Sequence, residues 1–239
     1  MSKNPTERDP TYYRLVRDCS PRFRSISHNP AELLLRRSLQ RYARPGLRVL
    51  DVGCGVGIGA CHLADSGQRG VEYVGIDPDD DTCRKARAVL AALPAKLIQG
   101  EVRLCSIQEY LASSPPQTDL ILWSYSFHEC VDADDPDVHV PVVAQVAQLL
   151  SPGGILIIGD PFVAPGASAR EIEAIKAESA RAVGSRGRPF FSPRVIKSLF
   201  TNVGLALVET AESPLLYLGA YLNLAHARFG VSVFIKDSC

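Results

Sequence analysis

Apolar runs of four to six residues alternate with stretches of helical spacing along most of the chain. This alternation predicts an α/β protein in which parallel strands are joined by helices. The predicted strands are Val49–Val52, Val71–Ile76, Val102–Cys105, Leu120–Trp123, Ile155–Ile158, Leu205–Glu209 and Val231–Lys236. The third strand has an alternative at Lys96–Ile98, but the later run is favoured because it leads directly into a helix.

The first strand ends in a glycine-alternating turn, and the sequence from Val49 reads V-L-D-V-G-C-G-V-G-I-G-A. A strand that passes through glycines into a helix presents bare N–H groups and a positive helix end to a ligand. The turn fits either the pyrophosphate of a dinucleotide or the amino-acid part and ribose of S-adenosylmethionine. Asp51 favours the second ligand, because a carboxylate attracts an ammonium group and repels a pyrophosphate. A tight connection without a ligand is the structural alternative.

Bulk composition narrows the class of protein. The chain has 239 residues, 46% of them apolar and 22% charged, as in one soluble globular domain. The formal net charge is zero, so no overall field attracts nucleic acid or a membrane surface. The seven cysteines form no C-x-x-C pair, and the N-terminus is polar. We therefore expect a cytoplasmic protein without a structural metal, a disulfide framework or a membrane span.

Polar residues follow two further predicted strands, at the edge where parallel strands of a doubly wound sheet bind their ligands. Asp77 lies 20 residues after Gly57, at the end of the second strand, where a carboxylate can accept both ribose hydroxyls. Pro78 then turns the chain. After the fourth strand come Ser124 and the pair His128 and Glu129. His128 is a candidate for taking a proton from a nucleophile or for orienting it, and a structural histidine is the alternative.

Several of these motifs resemble a known family. The Asp51-x-Gly-x-Gly-x-Gly segment resembles motif I of the class I S-adenosylmethionine-dependent methyltransferases, and the Leu-Leu-Ser-Pro-Gly-Gly segment that ends at Gly154 also resembles this family. The stretch that contains His128 resembles its motif IV. The resemblance covers about residues 48–158. It implies a doubly wound, mostly parallel seven-stranded sheet with an antiparallel last strand, together with an N-terminal helical cap and a lid insertion.

The resemblance also implies the roles of individual residues. For the cofactor, S-adenosyl-L-methionine, the candidates are Asp51, Gly53, Cys54, Gly55, Gly57, Asp77, Pro78, Ser106, Ile107 and Ser124. Among them, Ser106 and Ile107 are the adenine candidates, and Ser106 stands where the family more often has an acidic residue. The catalytic candidates are His128, Tyr13 and Glu129.

The domain division follows the breaks in the pattern. Residues 1–45 are interpreted as the helical cap, with a helix over Ala31–Ala43, and residues 46–239 as the Rossmann-like domain that binds the cofactor. Within this domain, residues 161–191 leave strict alternation and are interpreted as a lid. The apolar segment Pro214–Arg228 suits either a cover over the cleft or a homodimer contact.

We expect methyl transfer to oxygen, nitrogen or carbon of a small metabolite or natural product. Aromatic residues suit the walls of such an acceptor site, and the candidates are Tyr12, Tyr13, Trp123, Tyr125, Phe127, Phe190 and Phe191. The alternative is that half of these residues belong to the core. The alternatives are a non-methylating user of the same cofactor, such as a cyclase, and a nicotinamide-dependent oxidoreductase. An RNA methyltransferase is disfavoured by the zero net charge, although residues 1–48 carry eleven Lys and Arg against four Asp and Glu.

Overall fold

The computed structural model describes residues 30–131, 136–174, 191–214 and 227–238. The strands are β1 (Arg48–Val52), β2 (Val71–Asp77), β3 (Ile98–Leu104), β4 (Thr118–Ser124), β5 (Leu150–Val163), β6 (Leu205–Pro214) and β7 (Ala227–Lys236). The helices with defined bounds are α1 (Pro30–Tyr42), α2 (Ile58–Asp65), α3 (Asp80–Ala92), α4 (Ile107–Ala112), α5 (Phe127–Cys130), α6 (Pro136–Leu149) and α7 (Pro193–Thr201).

The strands form one seven-stranded sheet in the order β3-β2-β1-β4-β5-β7-β6. Strands β1 to β5 run parallel, and β7 is antiparallel to both of its neighbours, β5 and β6. The predicted seven-stranded α/β sheet with an antiparallel last strand is therefore confirmed. The strand order reverses between β1 and β4, and at such a switch point the loops after both strands border one crevice.

Both faces of the sheet are covered by helices, because successive strand residues point to opposite sides. On one face, Val49 packs with residues of α1, α2 and α3. On the other face, Leu50 and Val52 pack with residues of α4, α5, α6 and α7. Strands that are apolar on both faces are the expected consequence of this double coverage.

Helix α1, the described part of the predicted cap, packs on the sheet layer. Its residues Leu35 and Leu39 are fully buried in the first cluster. Two polar side-chain contacts join α1 to α2. Oε2 of Glu32 lies 2.7 Å from Nε2 of His62, and Nη2 of Arg36 lies 2.6 Å from Oδ2 of Asp65. Residues 1–29 of the predicted cap, which include Tyr12 and Tyr13, lie outside the described residues.

Several strands are longer than their apolar cores predict. Strand β3 begins at Ile98 and ends at Leu104, so the segment predicted at Val102–Cys105 is only its second half. Strand β5 continues through Asp160 to Val163, because it pairs with β7 along its whole second half. The predicted lid boundary at residue 161 therefore falls within this strand. In the lid segment, residues 169–174 are helical, and residues 175–190 lie outside the described residues, as do 215–226 of the predicted cover.

No helix within the described ranges is both long enough and apolar enough to cross a membrane.

Candidate functional site

The turn after β1 is a cradle built from backbone in the left-handed region. The φ angles are +62° at Gly53, +54° at Gly55 and +88° at Gly57, values that L side chains rarely adopt. A Cβ on Gly53 would lie 2.4 Å from Oγ of Ser126, so this position has no room for one. A Cβ on Gly55 would meet no atom within 4 Å. Gly55 therefore borders open space at the start of α2, and it leaves room for a ligand.

Asp77 connects this cradle to the turn after β2. Its Oδ2 accepts a hydrogen bond from the Gly55 N–H at 3.1 Å, and its Oδ1 accepts one from the Asp79 N–H at 3.0 Å. Burial raises the pKa of Asp77, and the two backbone donors oppose this shift. The carboxylate thus lies at the cradle, as the sequence predicts. Each oxygen retains accepting capacity for a further donor.

The other cofactor candidates lie at the ends of strands, and their side chains differ in exposure. Pro78 is exposed, whereas Ser124 and Cys54 are buried. Burial raises the pKa of the Cys54 thiol, which is therefore a neutral packing group. Ser106 caps α4 through a capping box, and Ile107 is buried in the second core cluster. Ile107 thus contributes to the core.

Asp51 is buried beneath the first turn of α2. It is 1% exposed, and its Oδ2 accepts a hydrogen bond from the Tyr73 hydroxyl at 2.7 Å. A Cβ on Gly59 would lie 2.2 Å from the same oxygen, so the first turn of α2 needs a glycine here. Burial raises the pKa of Asp51 to about 7; the Tyr73 hydrogen bond lowers it, and the charge of Asp77 raises it.

A buried histidine–carboxylate pair lies just beyond the end of β4: His128 is in α5, and Asp160 is in β5, one residue after Gly159, which pairs with Ser124, the last residue of β4. Nδ1 of His128 lies 2.9 Å and 3.0 Å from the two carboxylate oxygens of Asp160, and the His128 N–H donates to Oδ2 at 3.2 Å. His128 is 3% exposed and Asp160 is 1% exposed. On the other side of the ring, Nε2 lies 3.4 Å from Oε1 of Glu129, whose side chain is 30% exposed. Carboxylates therefore flank both ring nitrogens.

The electrostatics of this group favour a charged ring. Burial lowers the pKa of His128, but the charges and hydrogen bonds of Asp160 and Glu129 outweigh it and raise the pKa to about 9. Burial also raises the pKa of Asp160, and His128 opposes that shift. A buried Asp160 carboxylate needs a positive partner, so we assign the pair as carboxylate and imidazolium at neutral pH.

The aromatic residues divide between the core and the site. Trp123, Phe127 and Phe191 are 0%, 0% and 5% exposed and form an edge-to-face cluster inside the protein. Core packing, which the sequence offers as the alternative for about half of the aromatic candidates, is therefore confirmed for these three, because the face of β4 on which Trp123 lies is covered by helices. Tyr125 is partly exposed, has a φ of +58°, and packs against Phe229 at 4.6 Å between ring centroids. A non-glycine residue with such a φ is strained, as residues at functional sites often are.

Sequence reasoning missed three residues of the site: Asp160, Tyr73 and Gly59. Asp160 follows the apolar run Ile155–Ile158, and an acidic residue directly after a predicted strand was a signal present in the sequence. Tyr73 gave no such signal, because an aromatic residue inside a strand is normally part of the core. The catalytic candidate Tyr13 lies outside the described residues.

A family model described as a methyltransferase domain matches residues 22–210 of the chain. The mitochondrial ubiquinone biosynthesis O-methyltransferase of Homo sapiens is 24% identical over 185 residues, which are 76% of this chain and 44% of that protein. The chain spans about half the length of the curated relatives it matches.

Solved structures share the fold. The cyclopropane synthase MmaA2 from Mycobacterium tuberculosis superposes with a TM-score of 0.69 at 12% identity, over 98% of this chain and 96% of that chain. The N-methyltransferase NodS from Bradyrhizobium japonicum, solved with S-adenosylhomocysteine, gives a TM-score of 0.61 at 20% identity, over 95% and 99%. Two proteins of different chemistry therefore share this architecture.

Proposed function

The chain belongs to the family of methyltransferase domains, whose cofactor is S-adenosylmethionine, and from this premise we propose that it methylates a small-molecule acceptor. The observation that carries the proposal is the glycine cradle after β1, which Asp77 holds from the neighbouring strand. The cradle follows β1, one of the two strands at the switch point where α/β proteins bind ligands, and Asp77 lies at the end of the neighbouring strand β2.

The residues present fit the cofactor. Gly55 faces open space in a conformation that excludes most side chains, so its backbone can approach a ligand closely. Asp77 offers carboxylate oxygens suited to ribose hydroxyls. Asp51 has an Oδ1 atom that is buried and has no hydrogen-bond partner in the part of the chain that the structure describes. An ammonium group would supply that missing partner.

Zero net charge and the residues that follow β4 support a small acceptor. His128 and Glu129 come after this strand, and Tyr125 adds a partly exposed ring beside them. The charged His128–Asp160 pair supports the orienting role for His128 over proton abstraction, because a ring that already carries two protons cannot accept another. An imidazolium donates hydrogen bonds and orients its neighbours, whereas Glu129 is the residue with accepting oxygens near the surface.

The cofactor supplies a methyl group that its sulfonium already activates. The task of this chain is to hold the acceptor in line with that group and to exclude water, and such positioning contributes roughly 7–11 kcal/mol to a barrier. Buried His128 and strained Tyr125 are suited to that task because packing fixes both side chains. Residues 1–29 and 164–190 are our candidates for the segments that cover the acceptor.

Product analysis tests the proposal. The protein is incubated with S-adenosylmethionine and a panel of small phenols, amines and carboxylic acids. Methyl transfer releases S-adenosylhomocysteine together with a methylated acceptor. Release of methylthioadenosine would instead indicate another chemistry of the same cofactor. Turnover of a structured RNA but of no small molecule would contradict the acceptor class.

A further inference from the structure

Asp51 combines two features that a buried carboxylate rarely shows together. Its Oδ2 is satisfied by the Tyr73 hydroxyl at 2.7 Å, but its Oδ1 is buried and has no hydrogen-bond partner among the described residues. An unsatisfied buried acceptor destabilises the folded state, and it does so more strongly if it is charged. Such a group in a native protein calls for a role, and ligand binding is one.

Three elements fix the side chain that carries this atom. Asp51 lies in β1 and pairs with Gly75 of β2. Tyr73 is also in β2, two residues before Gly75, and therefore lies on the same face of the sheet as Gly75. The Tyr73 hydroxyl therefore reaches Oδ2 of Asp51 from the neighbouring strand. Gly59, in the first turn of α2, lies against the same oxygen with no Cβ between them. Oδ2 is therefore hydrogen-bonded by Tyr73 and closely packed against Gly59, whereas Oδ1 is left for another partner.

We propose that Tyr73 is a positioning residue for the cofactor, and that its hydroxyl holds Asp51 so that Oδ1 receives the cofactor's ammonium group. The inference rests on the proposed function and adds a residue to it. Tyr73 touches neither the cofactor nor the acceptor in this scheme. It acts through Asp51 in two ways, by fixing the orientation of the carboxylate and by stabilising its ionised form.

The charges around Asp51 make the scheme dependent on pH. The groups that act on it are the Tyr73 phenol and the Asp77 carboxylate, both from β2, and the buried thiol of Cys54 lies nearby. Burial raises the pKa of Asp51 to about 7, so the ligand-free protein holds it partly protonated at neutral pH. An ammonium group binds the ionised form, so binding should release a proton near pH 7.

Calorimetry with S-adenosylhomocysteine, which retains the amino-acid part, tests the proposal. For the wild-type protein, we expect affinity to increase from about pH 6 to about pH 8, with proton release seen as a dependence of the heat on buffer ionisation. Methylthioadenosine, which lacks the ammonium group, should bind without that proton release. In Tyr73→Phe, the midpoint of the rise in S-adenosylhomocysteine affinity with pH should move up by about one pH unit. The affinity of this variant should therefore be about tenfold lower than that of the wild type below pH 7 and should recover at higher pH.

Tyr42→Phe is the matched control, because the Tyr42 hydroxyl also donates to a carboxylate, that of Glu209, at 3.0 Å. We expect this variant to bind as the wild type does. A Tyr73→Phe variant with wild-type affinity and pH profile would return Tyr73 to an ordinary core residue. If that variant does not fold, proton exchange in the wild-type protein decides, and its absence near pH 7 overturns the proposal. Failure of the folded wild-type protein to bind S-adenosylhomocysteine at any pH would instead overturn the proposed function itself.

Discussion

Replacing Asp51 with asparagine should stabilise the ligand-free protein and weaken its cofactor binding. The pKa of this carboxyl rises from 3.8 to about 7 on folding. In the unfolded chain the group is ionised above about pH 4, whereas the folded protein keeps it protonated up to about pH 7. The folded state therefore loses stability as the pH rises through this window. A pKa shift of about three units corresponds to a loss of about 4 kcal/mol in the free energy of unfolding, and this loss is complete above about pH 7.

Asparagine keeps the shape of the side chain and can still accept from Tyr73, but its amide group needs partners of its own. We therefore expect the free energy of unfolding of Asp51→Asn to exceed that of the wild-type protein by about 2 kcal/mol at about pH 8. At about pH 5 this difference should be smaller or reversed. Urea unfolding of both proteins at the two pH values measures this, because titrations common to both cancel in the difference. A difference that does not change with pH would refute the reasoning. Asp119→Asn is the control of opposite sign, because Arg48 and Ser151 hold the pKa of that carboxyl below its usual value despite burial.

Three further outcomes follow from the site. Gly55→Val should abolish S-adenosylhomocysteine binding, whereas Gly67→Val, with a φ of +76° and equally open space at the other end of α2, should retain it; equal losses would refute the cradle. Asp77→Ala should weaken binding at least about tenfold, since hydrogen bonds to charged groups contribute about 1.5–3 kcal/mol each, and an unchanged affinity would remove Asp77 from the ribose site. Asp160→Asn should lower the pKa of His128 from about 9, as measured by an NMR pH titration of the protein with labelled histidine. An unaltered titration would contradict the ion pair.

The backbone of the site could be predicted from the sequence because it depends on local chemistry. Glycines at 53, 55 and 57 need no tertiary information to indicate a left-handed turn after an apolar strand. The spacing from Gly57 to Asp77 is likewise set by one crossover between neighbouring parallel strands. Both features lie where they were predicted, at the end of β1 and of β2.

The side-chain partners could not be predicted in the same way. His128 and Asp160 are 32 residues apart and meet only because β4 and β5 pair in register. The role of Trp123 depended on which face of β4 it occupies and on what covers that face, and periodicity in an all-apolar strand does not distinguish the faces. The length of β5 depended on its antiparallel partner, β7, whose apolar core alone did not indicate how far pairing extends.

The most direct test of cofactor binding by the glycine cradle is a calorimetric titration of the folded wild-type protein with S-adenosylhomocysteine. We expect saturation at one molecule per chain, with Gly55 and Asp77 among the residues whose amide resonances shift in a parallel NMR titration. Absence of heat and of any saturable shift, from protein that unfolds cooperatively, would contradict it.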